Sequence, residues 1–242
     1  MEREDEERRL RREMRRIKRK KEERIRQLIL AGFFTAASVI ILAAVIVLFK
    51  NVFQKKQVDP GEAQVPEYVQ VDLLTPNPYS RPQKPLEEVR GIVVHYVANP
   101  CKTARENRSY FEQLKDQTGE NATSASSHFV IGLEGEVVQC VPLTEVAYAS
   151  NHRNSDTISI ECCIPDESGK FTDETYQSLV ELVAWLMGRY ELTADDVIRH
   201  YDVTGKDCPK YFVENSNAWS DFKTDLLTYI DTYGIEKTQE IN

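Results

Sequence analysis

An α/β domain with a mixed central β-sheet flanked by helices, preceded by a single transmembrane helix, is the architecture that the sequence predicts. Three observations lead there. An uncharged run of 22 residues, Leu28 to Phe49, lies near the amino terminus. From Val89 onward, short apolar segments of strand character alternate with segments of helical period. One hairpin signal interrupts that alternation, and a mixed sheet covered by helices fits the order.

The apolar run spans about 33 Å as a helix, enough for a hydrocarbon core of about 30 Å. The stretch before it, RRLRREMRRIKRKKEERIRQ, is dense in Lys and Arg, whereas only Lys50, Lys55 and Lys56 lie close on the far side. That bias places the amino terminus in the cytoplasm and the body outside. A cleaved signal peptide is the rival reading, but its apolar core is shorter and a small-residue cleavage site follows it. Here Lys50-Asn51-Val52-Phe53 follows, which favours an uncleaved signal anchor. The expected organisation is a charged cytoplasmic tail over 1–27, an anchor over 28–49 and a Pro-rich linker over 50–85. A globular domain over 86–232 and a tail over 233–242 complete it.

Charge is divided in the same way. The net charge is −8, yet residues 1–26 carry thirteen basic against eight acidic residues, so the remainder is strongly acidic. A foldable body without a basic stripe argues against nucleic acid as a partner. Between 54 and 88, Pro60, Pro66, Pro76, Pro78, Pro82 and Pro85 argue against a regular element and for a semi-extended spacer.

Beyond the spacer, RGIVVHYV reads as a buried strand and the stretch from Ala104 to Lys115 as a helix. HFVIG and EVVQCV flank Leu133-Glu134-Gly135 as a hairpin. TISIECCI, over 157–164, is a further strand. Thr172 caps a helix in which Tyr176, Leu179, Val180, Val183, Leu186 and Tyr190 recur at helical spacing. VIRHYD, over 197–202, reads as a last short strand. Trp219, Phe222, Leu226 and Ile230 mark a final amphipathic helix.

The chain has four His: His95, His128, His152 and His200. His95 closes one strand and His200 sits in another, with Cys208-Pro209 eight residues on. Such imidazoles are either packed, hydrogen-bonded side chains or, with Cys208, a three-ligand zinc site that leaves a fourth position open. Period-two alternation puts Ile158, Ile160, Cys162 and Ile164 on one face and Thr157, Ser159, Glu161 and Cys163 on the other. The second face presents Glu161 towards a cleft or solvent. There it is a solvated carboxylate or, beside a metal, a general base. Lys206 then stands at the metal's edge, where an ammonium stabilises an oxyanion. Cys140 reads as a small buried hydrophobe and Cys101 as a loop thiol. Cys162 and Cys163 point to opposite faces, and no disulfide pairing among these four is specified.

The segments VVHYVAN, SSHFVIGLEGEVVQCVP, NSDTISIECC and RHYDVTGKDCP resemble, in order and spacing, the zinc N-acetylmuramoyl-L-alanine amidases related to phage lysins and peptidoglycan recognition proteins. The resemblance covers about residues 86–232. It implies a zinc ion held by His95, His200 and Cys208, with Glu161 as the catalytic carboxylate and Lys206 beside the developing oxyanion. Peptidoglycan is the implied substrate, cut between the lactyl group of N-acetylmuramic acid and L-alanine of the stem peptide. With the anchor, this places a catalytic domain outside a bacterial cytoplasmic membrane. A non-catalytic peptidoglycan sensor on the same fold is the alternative, but such relatives typically lack a metal ligand. Two departures stand out. Ser127 occupies the place where some phage relatives carry a catalytic Tyr, and Ala147-Tyr148-Ala149 replaces an aromatic-His pair. Ser127 and His152 are expected to touch substrate, with His152 on the rim, and His128 to buttress its strand.

If the charge bias sets the orientation, protease added to intact protoplasts digests the residues beyond 54 and leaves a short membrane-bound stub. Full protection would reverse the orientation.

Overall fold

A computed structural model describes residues 65–119 and 121–234. The charged tail, the 28–49 run, residues 50–64 of the Pro-rich linker and residues 235–242 lie outside the described residues. Among the described residues no helix is long and apolar enough to cross a membrane.

Six strands form one sheet: β1 (Val69–Val71), β2 (Gly91–Tyr96), β3 (Phe129–Ile131), β4 (Val137–Gln139), β5 (Thr157–Cys162) and β6 (Val197–Arg199). Their spatial order is β1-β4-β3-β5-β2-β6. The β3–β4 hairpin is antiparallel and every other pairing is parallel, so the sheet is mixed as expected. Gly135 turns the hairpin at φ +82°. A Cβ there would stand 2.8 Å from the Ser178 hydroxyl and 3.0 Å from the Glu174 carbonyl, so the close approach also requires glycine.

The strands are apolar on both faces because both faces are covered. On one face, Ile92, Val94, Phe129, Ile158 and Ile160 pack with Leu179, Val183 and Leu186 of α2 (Asp173–Tyr190) and with Phe222 and Leu226 of α5 (Ser216–Tyr233). On the other, Val130, Val138 and Cys163 pack against Ala104 and Phe111 of α1 (Ala104–Gln113) and against Leu74. Cys162 and Cys163 thus divide between the two faces. The long helix starts where its cap signal lies: the Thr172 hydroxyl accepts from the Thr175 amide at 3.1 Å and donates to the Leu133 carbonyl at 2.7 Å.

Two expectations are corrected. The VIRHYD strand stops at Arg199, and His200 opens a short helix, α3 (His200–Thr204). The Asp202 carboxylate accepts from the Arg199 amide at 2.8 Å, and Gly205 in the left-handed region ends the turn, so the local bonds favour a helix over two more strand residues. A second short helix, α4 (Lys210–Glu214), follows Cys208-Pro209.

The second correction concerns the Pro-rich stretch, which does contain a regular element. β1 lies between Pro66 and Pro76, where every residue keeps its N–H, and it pairs with β4 on the sheet edge. Leu74 and Leu86 are buried beyond it. The Arg81 guanidinium forks onto Glu145 at 2.7 and 2.8 Å, and Arg108 donates to the carbonyls of Asp72 and Leu73. This segment is therefore packed against the sheet.

Leu74 tests that packing. Leu74→Ala is expected to cost about 2–5 kcal/mol in urea unfolding. An unchanged midpoint would mean that residues 69–86 hang free as a spacer.

Candidate metal centre and cleft

The parallel strands β2, β5 and β6 converge with their carboxyl ends on one edge of the sheet, the end where open parallel sheets place ligands. His95 is the penultimate residue of β2, and its register partner on β5 is Glu161. Partners in register share a face, so both side chains emerge on the α1 side. His200 enters at the start of α3, immediately after β6. Cys208 arrives on the next loop, where its carbonyl accepts from the Tyr201 amide at 2.9 Å. The cis Cys208–Pro209 peptide then leads into α4.

These three elements bring His95, His200 and Cys208 together, all buried, with one ligand atom from each within 4.8 Å of the others. His95 Nδ1 lies 3.8 Å from Cys208 Sγ, and the two imidazole centroids are 4.6 Å apart. Two donors bound tetrahedrally to one zinc, a nitrogen and a sulfur, stand about 3.6 Å apart. The outer nitrogens are occupied: His95 Nε2 meets Ser150 Oγ at 3.1 Å and His200 Nε2 meets Asn151 Oδ1 at 2.9 Å. Nδ1 of His200 is buried and has no partner. An orphaned buried acceptor beside a thiol and a second imidazole is the donor set of a zinc site, and the residues fit that ion.

The protonation states agree. Burial, then the neighbouring His200 and Lys206, hold the His95 imidazole well below its usual range. Burial and Lys206 lower His200 as well. Both rings are therefore neutral and ligand-competent at pH 7. Burial pushes the Cys208 thiol up to about 12, with Glu161 adding to the rise, so the thiol keeps its proton until a cation draws it off.

Beside the triad opens a cleft of about 790 Å³, lined by Tyr96, Asn99, Arg105, Tyr110, Glu161 and Lys206 among others. Its size falls within the range of small-molecule sites. Glu161 is half-buried, and its Oε2 is buried without a partner. Burial pushes this carboxyl up to about 8 against the pull of Lys206. A dication beside it would lower that value, because positive charge favours the carboxylate.

Four of the expected site residues, together with Glu161, therefore converge: His95, His200 and Cys208 as donors, and Lys206 with Glu161 on the cleft wall. Ser127 does not join them. It is fully buried, its hydroxyl 2.9 Å from the carbonyls of both Phe129 and Ser159, and so it ties β3 to β5 and is closed to substrate. His152 stands exposed on the turn Asn151–Ser155, outside the residues that line this cleft. His128 buttresses its strand: Nδ1 lies 3.0 Å from both the hydroxyl and the amide of Ser159, and Nε2 lies 2.9 Å from the Glu145 carbonyl. All five cysteines are free thiols. Ser150 and Asn151 escaped the sequence reading, because a Ser-Asn pair ahead of a strand reads as an ordinary turn.

Residues 85–211 match the family described as N-acetylmuramoyl-L-alanine amidase. The chain belongs to that family. Two amidases named as such are about one-third identical to it over the aligned residues. CwlL of Bacillus licheniformis is 33% identical over 174 residues, covering 67% of this chain and 47% of that protein. BlyA of Bacillus subtilis strain 168 is 31% identical over 182 residues, covering 66% and 47%. This amidase-family chain thus spans about half the length of the curated relatives it matches. Among solved structures, that of PlyL superposes with a TM-score of 0.55 at 21% identity, covering 65% of this chain and 96% of its own, and shows the shared fold.

Zinc binding to this site should release a proton from Cys208 and, below about pH 8, a second from Glu161, since both imidazoles are already neutral. Apparent zinc affinity is then expected to rise by at least roughly tenfold per pH unit between 6 and 8, measured by chelator competition. A flat profile would mean that the thiol is not a ligand.

Proposed function

We propose that the protein is a peptidoglycan hydrolase that cleaves the amide between the lactyl group of N-acetylmuramic acid and L-alanine of the stem peptide. The observation that carries this reading is the buried His95–His200–Cys208 cluster beside a cleft whose wall presents Glu161 and Lys206. Family membership and the amidases named among the relatives support it.

His95, His200 and Cys208 would hold a zinc ion, which would supply a Lewis acid for the amide carbonyl and lower the pKa of a water to about 7. The Glu161 carboxylate takes a proton from the attacking water. Its unpartnered Oε2 is free to do so, and a neighbouring dication would favour the ionised form. The Lys206 ammonium faces the oxyanion that forms at the former carbonyl oxygen. Glu161 then returns the proton to the departing amine of L-alanine.

The same reading makes residues 28–49 a signal anchor in a bacterial cytoplasmic membrane, with residues 1–27 in the cytoplasm and the catalytic body outside. The linker is then shorter than its proline content suggests, because residues 69–86 pack on the sheet.

Digestion of purified peptidoglycan tests the activity. The protein is expected to release stem peptides with free L-alanine amino termini, and a chelator is expected to stop it. Glu161→Gln should lower turnover by ~10²–10⁴-fold while zinc content and glycan binding persist, because this carboxylate is not a ligand. Parent-like turnover in that variant would call for another base. A zinc-loaded parent that binds glycan strands but frees no peptide would be a sensor instead.

A further inference from the structure

We propose that Ser150 and Asn151 are positioning residues that fix both histidines for metal binding from a single turn. His95 belongs to β2 and His200 to α3, so no common backbone sets the angle between their rings, which is 59°. An imidazole can offer either nitrogen to a metal, and a hydrogen bond at the other decides which. Here two consecutive residues supply both bonds: Ser150 Oγ to His95 and Asn151 Oδ1 to His200. With these oxygens accepting, each ring carries its proton on Nε2 and turns Nδ1 inwards, His95 towards Cys208 Sγ and His200 into the buried position that has no partner.

The turn is itself held. Asn154 Oδ1 accepts from the amides of Ala149 and Ser150 at 3.1 and 2.5 Å. The Thr157 hydroxyl donates to the Arg153 carbonyl at 2.6 Å, and Arg153 pairs with Asp156 at 2.7 Å. Ser150 is buried, and Asn151 sits at φ +54°, a left-handed backbone that asparagine tolerates better than most residues. Together, these two positions link the ring orientations of a strand histidine and a helix histidine.

The inference rests on the zinc reading, and the test separates the two. Zinc affinity of the full chain is measured by competition with a chromophoric chelator. The visible absorption of its cobalt-loaded form and the melting temperature of the metal-free form are recorded alongside. Ser150→Ala removes one acceptor. Asn151→Gly removes the other while keeping a backbone free to adopt φ +54°. Each is expected to weaken zinc binding by roughly 10–100-fold and to change the cobalt bands, with the metal-free melting temperature unmoved. Asn151→Asp, which keeps the acceptor, is expected to restore most of the affinity. Parent-like affinity and cobalt spectra in Ser150→Ala and Asn151→Gly would overturn the proposal. So would losses that follow the melting temperature and are equal in Asn151→Asp. A parent that binds no zinc would overturn the metal centre, and this inference with it.

Discussion

His95 and Glu161 stand side by side because β2 and β5 run parallel in one register, from Gly91 beside Thr157 to Tyr96 beside Cys162. Everything at the site depends on that alignment. A slip of one residue would carry His95 to the α2 face and bring Val94 to the cleft side, since neighbours along a strand alternate faces. The slip is opposed by the apolar residues it would misplace. Ile92, Val94, Ile158 and Ile160 are all buried under the two long helices, so the site inherits its precision from the core beneath it.

The centre also carries a liability. Two imidazoles, a thiol and a carboxyl are gathered in a poorly solvated pocket. Burial keeps each in its neutral form, or pushes it that way, when no cation is near. Such a cluster is quiet until a divalent ion enters. A dication held there would draw the proton from the thiol and favour the ionised carboxyl, so one binding event would change both groups. Lys206 stands exposed at the rim.

Much of this was legible in the residues. The alternation of TISIECCI placed Glu161 and separated Cys162 from Cys163 before any coordinates, because period two is rigid geometry. Thr172 announced its helix by its capping chemistry. Spacing alone left His95, His200 and Cys208 open between packed side chains and a zinc site, and it was the resemblance of their motifs that implied the ligand set. What escaped depended on contacts between distant segments. The edge strand β1 is only three residues long between prolines, and nothing local declares that β4 will accept it. Ser127 was expected to touch substrate, yet the carbonyl of Ser159, thirty-two residues away, lies against its hydroxyl. His200 left its strand because of a capping bond from Asp202, a preference that a run such as VIRHYD hides.

The packing of residues 69–86 has a mechanical side. Tension transmitted from the chain preceding Val65 would reach β1 first. It would meet the ladder to β4 and then the grip of Arg108 on the Asp72 and Leu73 carbonyls and of Arg81 on Glu145. In the sheet order, β4, β3 and β5 lie between β1 and the strand that carries His95. A tether at that end therefore loads the far edge of the sheet. Strain entering there would be absorbed at an edge that three intervening strands separate from the strand carrying His95.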